Sequence, residues 1–350
     1  MRPELFHIPG IDFAINSYGV VMIIGFLLAL ECGKFLARRV GHDPEIYVNA
    51  GIVALVSGVI GARLSHVIEN WPEYSDAADG FFKNFLQVVN LRSGGLTFYG
   101  GLIFAFPCVI AYGLLMKVPI RRGMDIVAPC VMIGLGIGRV GCFLNGCCYG
   151  AQCDANLPVA VTYPYGTTPY IEQFIEKQKD APTELTVTTG LDKEGRPKKR
   201  LVSREELRKG VIEYKLLNED GKIETERIPL PDEAKQSAAI ERSLPVHPSQ
   251  LYSTFTALLI AAICVSYFSL RPAPGKVMAL MLMLEGPTRF VLEMLRSEPA
   301  VGVHGLNWSL SMYLGVILFV AGVIMWLAMG YLEERRPEPT YVPATAAPAA

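Results

Sequence analysis

Three arginines lie well inside long apolar stretches of the sequence, where a charged side chain is costly to bury. They are Arg63, Arg139 and Arg289. A guanidinium in a site that excludes water suits a phosphate group, because it can bind two phosphate oxygens through parallel N–H donors. For Arg139 the alternative is a structural role, in which backbone carbonyls or a carboxylate such as Glu293 neutralise the charge. An anion-binding site is the leading hypothesis for Arg139.

The stretch around Arg139 is rich in small residues. Gly134 and Gly138 are one helical turn apart, so a neighbouring helix can approach closely. Further glycines leave backbone N–H groups accessible and permit a break from regular helix. They are Gly141, Gly146 and Gly150.

Paired glycines also flank an aromatic hydroxyl in the segment Arg92-Ser-Gly-Gly95-Leu-Thr-Phe-Tyr99-Gly-Gly101. This pattern is typical of backbone that approaches a ligand. It is equally typical of a tyrosine that anchors a helix at a membrane surface beside packing glycines.

One apolar segment carries four charged residues at helical spacing, Glu285, Arg289, Glu293 and Arg296. They fit a ladder of ion pairs between residues i and i+4 that faces the interior of a helix bundle. They also fit a second anion ligand, Arg289, steadied by Glu293.

The motif His247-Pro-Ser-Gln-Leu-Tyr252 leads into another apolar segment. Pro248 favours a helix start. His247 could titrate near neutral pH, or it could be a polar cap at the membrane surface.

Four of the eight cysteines form a cluster in the sequence, Cys142, Cys147, Cys148 and Cys153. Zinc sites usually show two closely spaced pairs, so this spacing is weak for a metal. Redox or nucleophilic chemistry would need a nearby base. Packing or a disulfide is therefore the favoured interpretation.

The composition places these motifs in a membrane protein. The 350 residues are 51% hydrophobic and only 19% charged, with a mean hydropathy of +0.33. These values exclude a disordered chain, a coiled coil and an ordinary cytosolic enzyme. The net charge of -1 gives no indication of nucleic-acid binding.

Seven segments are long enough to cross about 30 Å of hydrocarbon. We predict an all-α polytopic membrane protein with seven transmembrane helices and a small α+β extracytoplasmic insertion. The predicted spans are Ser17–Ala37, Ile46–Ile68, Leu96–Met116, Met124–Leu144, Leu251–Leu270, Val277–Leu295 and Trp308–Tyr331.

Basic residues in the short loops predict the orientation. Clusters of Lys and Arg follow the first, third, fifth and seventh spans, which puts the N-terminus outside and the C-terminus inside. The predicted organisation is helices 1–4 in residues 1–150, the insertion in 151–246, helices 5–7 in 247–336 and a disordered tail in 337–350. Within the insertion we expect strands at Thr183–Thr189, Val211–Leu217 and Ile223–Ile228, a turn at Glu219-Asp220-Gly221 and a capped helix at Ser203–Arg208.

Several of these motifs together resemble the prolipoprotein diacylglyceryl transferases of bacterial inner membranes. Their order and spacing agree over nearly the whole membrane part, but the resemblance does not cover most of residues 155–243. The matching blocks are Ser17-Tyr18-Gly19, Arg92–Leu102, Asp125–Pro129, Gly138–Gly150, His247–Tyr252 and Arg289–Arg296.

The resemblance implies a multi-pass enzyme of the bacterial cytoplasmic (inner) membrane with an active site open to the outer leaflet. Its substrates would be phosphatidylglycerol and prolipoprotein signal peptides with a lipobox cysteine. The cysteine thiol would receive a diacylglyceryl group as a thioether, and glycerol 1-phosphate would leave, with no cofactor and no metal. The candidate catalytic residues are Arg139, Arg289 and Tyr99. The candidate substrate-binding residues are Tyr18, Arg63, Gly95, Asn145, His247, Tyr252, Glu293 and Arg296.

Three positions depart from the best-known form of that family. Tyr99 stands where that form has a histidine proposed as the base, Cys142 replaces an asparagine and Cys147 a glutamate. The resemblance therefore leaves the base unidentified. The alternatives are a membrane thiol–disulfide enzyme built on the cysteines, a transporter of an anionic lipid or solute built on the arginines, and a non-catalytic lipid-binding scaffold.

Overall fold

Long helices dominate the structure, a computed structural model that describes residues 4–8, 13–74, 86–90, 95, 97–191, 197–217, 223–296 and 308–335. The long helices are α1 (Ser17–Arg39), α2 (Pro44–Glu69), α4 (Phe98–Leu115), α5 (Ile120–Asn145), α9 (Ser249–Ser269), α10 (Lys276–Met294) and α11 (Leu310–Arg335). The short helices are α3 (Trp71–Tyr74), α6 (Thr168–Ile175), α7 (Arg204–Lys209) and α8 (Asp232–Ile240). Each predicted span coincides with one long helix to within a few residues.

Five of the long helices, α1, α2, α5, α9 and α11, are long and apolar enough to cross a membrane. Large apolar side chains on them stay exposed, as Ile23 (62%), Ile60 (57%) and Leu327 (68%) illustrate. In water such a surface would favour aggregation, whereas lipid tails cover it at no cost. The chain is a multi-pass membrane protein.

Three two-stranded antiparallel sheets complete the described structure. They pair β1 (Glu4–Ile8) with β2 (Phe13–Asn16), β3 (Thr186–Leu191) with β4 (Pro197–Leu201), and β5 (Val211–Leu217) with β6 (Ile223–Pro229). The predicted strands β5 and β6 are confirmed, while the predicted turn at 219–221 and the tail from Pro337 lie outside the described residues.

Residues 151–246 contain a folded lobe with its own apolar core. Buried residues from several of its elements form this core: Tyr165, Tyr170, Leu185, Val187, Val202, Ile212, Leu230 and Ala234. The predicted capped helix is α7, in which Ser203 and Glu206 form a reciprocal capping box. The predicted strand at Thr183 is partly wrong, because residues Thr183–Leu185 form a 3₁₀ turn before β3 begins.

The chain divides into two compact units, each with pieces of several helices. The first unit comprises Met1–Ile24, Leu135–Thr256 and Thr288–Gly315. The second unit comprises Gly25–Gly134, Ala257–Pro287 and Val316–Ala350.

Glycines bring α2 and α4 into close contact within the second unit. A Cβ on Gly61 would lie 2.4 Å from Phe104 Cβ, and one on Gly100 would lie 2.2 Å from Ser65 Cβ. The role of Gly100 is therefore packing, one of the two alternatives for the glycines beside Tyr99.

A buried carboxylate caps the start of α10 in the second unit. Asp125 in α5 is fully buried and accepts hydrogen bonds from the backbone N–H groups of Gly275 (2.8 Å), Val277 (2.9 Å) and Met278 (3.0 Å). These N–H groups have no partner inside α10, so Asp125 acts as the cap of that helix.

Candidate functional site

The end of α5 turns the chain back on itself in the first unit. Gly146 has φ +78°, which suits a glycine that ends a helix in the left-handed conformation. The N–H groups of Gly146 and Cys147 both donate to the carbonyl of Cys142, at 2.9 and 3.1 Å. Cys147 and Cys148 are thereby brought back towards the last turn of the helix.

Arg139 lies two turns before this break and has an unused donor. Its Nε is buried and has no hydrogen-bond partner among the residues that the structure describes. A buried N–H group without an acceptor costs about 1–3 kcal/mol. Such a group is well suited to a ligand that brings its own oxygen.

The start of α1 packs on the same part of α5. A Cβ on Gly141 would lie 3.1 Å from Tyr18 Cδ2, and one on Gly138 would lie 3.1 Å from Met22 Sδ. Tyr18 is partly exposed and lies within electrostatic range of Arg139 and of the cysteines that follow it. Gly138 and Gly141 therefore make room for α1. The predicted close approach of a helix is confirmed at Gly138 but not at Gly134, where an added Cβ would meet no described atom within 4 Å.

The start of α9 holds the loop after α5 in place. Ser249 Oγ donates to the carbonyl of Cys148, and Gln250 Nε2 donates to that of Cys147, both at 2.8 Å. Gln250 Nε2 also lies 2.9 Å from the hydroxyl of Tyr163, in the lobe. Sequence reasoning assigned no role to Ser249 or Gln250, although both lie within the motif that begins at His247.

His247 and Tyr252 contact one another beside this loop. His247 Nδ1 lies 3.4 Å from the Tyr252 hydroxyl, and the His247 carbonyl accepts the N–H of Gly150 at 2.9 Å. An apolar groove of about 530 Å³ runs alongside, lined by Pro158, Val159, Ala160, Val161, Pro248, Leu251, Tyr252, Phe255 and Thr256.

The end of α10 and the start of α11 complete the polar part of the first unit. Arg289 Nη2 donates to Ser311 Oγ at 3.3 Å, its one polar partner among the described residues. Glu293 instead accepts from Ser309 Oγ at 3.1 Å and pairs with Arg296 at 3.5 Å. Glu293 therefore does not pair directly with Arg289, and the two are tied to Ser309, just before α11, and Ser311, in its first turn. No sequence signal pointed to Ser309 and Ser311.

Arg296 extends this connection to the loop after α5. It forms an isolated β-bridge with Gly150, and it lies within electrostatic range of Cys148, as Arg139 does. Asn145, at the end of α5, is exposed and hydrogen-bonds the side chain of Cys147.

Arg63, in the second unit, is held by hydrogen bonds to the protein's own backbone. Its side chain is buried and donates to three backbone carbonyls, those of Gln87 (2.7 Å), Val88 (2.8 Å) and Gly95 (3.0 Å). A Cβ on Gly95, which has φ +76°, would lie 2.4 Å from His66 Nε2. Arg63 thus holds the chain that leads to Tyr99. The backbone of Tyr99 lies in the first turn of α4, and its side chain is outside what the structure describes.

All eight cysteines are free thiols. The disulfide alternative is therefore not present in this structure. The Sγ atoms of Cys142, Cys147 and Cys148 all lie within 4.8 Å of one another.

Comparisons with known proteins agree with the arrangement of motifs along the chain. The family model for prolipoprotein diacylglyceryl transferase matches residues 3–328. A phosphatidylglycerol–prolipoprotein diacylglyceryl transferase of Chromobacterium violaceum is 27% identical over 92% of this chain and 94% of its own length. One of Burkholderia ambifaria is 25% identical over 93% of both chains. One of Rhodopirellula baltica is 30% identical over 50% of this chain, a match that spans only 35% of that relative.

A match over nearly the whole length, together with the polar residues at the end of α5 and the start of α9, identifies the family. The chain belongs to the prolipoprotein diacylglyceryl transferase family of membrane transferases.

Proposed function

We propose that this chain transfers the diacylglyceryl group of phosphatidylglycerol to the lipobox cysteine of a prolipoprotein. The cysteine sulfur displaces glycerol 1-phosphate and forms a thioether, the first step of lipoprotein maturation. The observation that carries the proposal is the buried, unpartnered Nε of Arg139, in a chain of this family.

Arg139 and Arg289 bind the phosphate of the lipid headgroup in this proposal. The negative charge on that phosphate grows as glycerol 1-phosphate departs, and guanidinium groups in a water-poor site stabilise it strongly. Arg139 has a free donor for this task, and Arg289 has only one weak hydrogen bond to Ser311 within the described chain.

Six of the remaining candidate residues lie in the first unit and shape the site around these two arginines. Glu293 and Arg296 fix the end of α10, Tyr18 and Asn145 line the site, and His247 and Tyr252 order the start of α9. Arg63 acts on the site indirectly, because its N–H donors already hold the backbone at Gly95. Tyr99 orients the substrate thiol or relays its proton, since a tyrosine hydroxyl ionises only near pH 10 and is a poor base at neutral pH.

The proposed topology has seven spans, the five apolar helices together with α4 and α10. Both extra helices coincide with predicted spans, although α4 is short and α10 carries charged residues. Basic clusters after α1, α4, α9 and α11 favour an outside N-terminus and an inside C-terminus in the bacterial inner membrane. The lobe of residues 151–246 is then extracytoplasmic, between the helices of residues 1–150 and those of 247–336, and residues 337–350 form a tail.

The direct test supplies the purified protein with phosphatidylglycerol and a lipobox peptide. Mass spectrometry should show a peptide heavier by one diacylglyceryl group, together with released glycerol phosphate. A peptide with serine in place of cysteine is the control and should remain unmodified. An unchanged cysteine peptide, with protein that unfolds cooperatively, would refute the proposal.

A further inference from the structure

Three cysteines converge at the end of α5 although they are spread over seven positions of the sequence. Cys142 lies in the last turn of the helix, and the turn at Gly146 returns Cys147 and Cys148 to it. The three thiols are half-buried. Among the described residues, no other three histidine, cysteine or acidic side chains lie so close together.

The surrounding structure fixes this cluster. Cys148 has φ +58°, a left-handed conformation that costs a non-glycine residue about 1 kcal/mol or more. Ser249 and Gln250 hold the carbonyls on this part of the loop, as described above. The side chain of Cys148 is thereby directed by contacts from a separate helix.

The spacing of the sulfurs is close to that of a thiolate metal site. A Zn–S bond of about 2.3 Å in a tetrahedron places sulfurs about 3.8 Å apart. The observed sulfur–sulfur distances are at most 4.8 Å, so side-chain shifts of under about 1 Å bring the three sulfurs to this spacing.

The charge around the cluster also suits bound thiolates. Three thiolates and one divalent cation carry a net charge of about -1, and a fourth thiolate makes it about -2. Arg139 and Arg296 both lie within electrostatic range of Cys148 and offset this charge.

We propose that Cys142, Cys147 and Cys148 bind one zinc ion, whose fourth coordination position takes the thiol of the substrate cysteine. Catalytic zinc sites hold three protein ligands and leave one position open, and this cluster has three members with a partly exposed face. The substrate half of this proposal rests on the proposed function.

A bound zinc ion supplies the deprotonation of the substrate thiol, for which the proposed function identifies no base. A free thiol ionises only near pH 8.5, whereas a thiol that coordinates zinc loses its proton outright. The proton passes to solvent, the sulfur attacks the glycerol carbon, and the C–O bond breaks with its electron pair on the departing glycerol 1-phosphate. Zinc keeps its oxidation state throughout. The thioether is a weaker ligand than a thiolate, so the product dissociates.

Metal binding is tested on the full chain in detergent, stripped with a chelator and titrated with Cd²⁺. One equivalent should produce the ultraviolet charge-transfer absorption of cadmium thiolates. The triple variant C142S/C147S/C148S should lose this absorption, and Cys148→Ser alone should weaken it. The matched control C32S/C130S removes the other pair of contacting thiols and should keep it. Equal absorption in the triple variant, or none in the wild type, would overturn the site.

The transfer assay tests the substrate position separately. Chelation should lower transfer at least 10-fold, and Zn²⁺ should restore it. Undiminished transfer by protein shown to be metal-free would overturn the inference and leave the proposed function intact. Failure of transfer with Zn²⁺ bound would count against the proposed function, while the Cd²⁺ titration still decides the metal site.

Discussion

The two units use intramembrane arginines in opposite ways. In the second unit, Arg63 donates hydrogen bonds to three backbone carbonyls and is only 6% exposed. In the first unit, Arg139 keeps a buried Nε without a partner among the described residues. Both side chains lie in apolar helices and look alike in the sequence.

This difference separates an arginine that builds the protein from one that is available to a ligand. A buried guanidinium whose bonds are complete lowers the energy of the folded chain, and its removal leaves carbonyls unpaired. A buried donor without an acceptor destabilises the free protein and is tolerated where a ligand satisfies it. The comparison predicts that the two arginines fail in different assays.

Replacing Arg139 gives the largest expected effect on activity. Arg139→Ala should lower transfer by about 10³-fold, because the transition state loses a charge-assisted donor. The thermal midpoint should stay the same or rise, since an unsatisfied buried group is removed. Transfer rates and thermal unfolding in detergent measure both. Arg139→Lys is the matched control: it keeps the charge, loses the planar fork of donors and should recover only part of the rate.

The outcome that would break the comparison is an Arg139→Ala protein that transfers normally but unfolds early. Arg139 would then be a structural residue like Arg63.

Replacing Arg63 should act chiefly on stability. Arg63→Gln leaves at least two of the three carbonyls without their donor, which should cost about 3 kcal/mol of unfolding free energy. The measurement is chemical or thermal unfolding in detergent, beside the transfer rate of the folded fraction. A rate loss as large as that of Arg139→Ala, with stability unchanged, would place Arg63 among the ligands of the substrate.

The sequence predicts the long helices well because each apolar run has one way to satisfy its backbone in lipid. The seven predicted spans accordingly match helices. The short elements α6, β4 and α8 were missed. The elements β4 and α8 are brief and polar. Helix α6 has apolar residues at helical spacing, but its eight residues are too few for that period to stand out.

The candidate site is predictable in its residues but not in their partners. Arg139 stands out as a charge among glycines. The acceptors of Arg63 come from residues 24 to 32 positions away, and Ser311 is 22 positions from Arg289. Such pairings depend on which segments fold beside each arginine. The spacing of the cysteines likewise argues weakly for a metal, whereas the turn at Gly146 brings three of them together.

Asp125 extends the comparison to a carboxylate that serves the fold. Asp125→Asn keeps one acceptor oxygen for three N–H groups at the start of α10, which should cost about 2 kcal/mol. Unfolding of the variant in detergent measures the loss, and Asp125→Ala should be more severe. The KM for phosphatidylglycerol should not change, because the contacts of Asp125 all serve α10. A raised KM with normal stability would instead connect Asp125 to substrate binding.

His42, in the loop between α1 and α2, is the buried polar group of the second unit for which we expect the smallest effect, a dependence of stability on pH. Burial first, and then the charge of Arg122, lowers the pKa of His42 from 6.5 to about 4. His42 lies 2.7 Å from the Tyr47 hydroxyl through Nδ1. Above pH 6.5 the folded and unfolded states both hold a neutral imidazole, so stability there is independent of this group. As the pH falls towards 4, the unfolded state binds a proton that the folded state does not bind, and stability declines.

The expected loss is about 1 kcal/mol at a pH of about 5.5 and grows until the folded pKa is reached. Unfolding of the wild type at several pH values between 7 and 4 measures it. His42→Gln removes the titrating group and should flatten this part of the profile, whatever its stability at neutral pH. An equally steep profile in that variant would show that the loss comes from other groups, and that His42 is as accessible to protons in the folded chain as in the unfolded one.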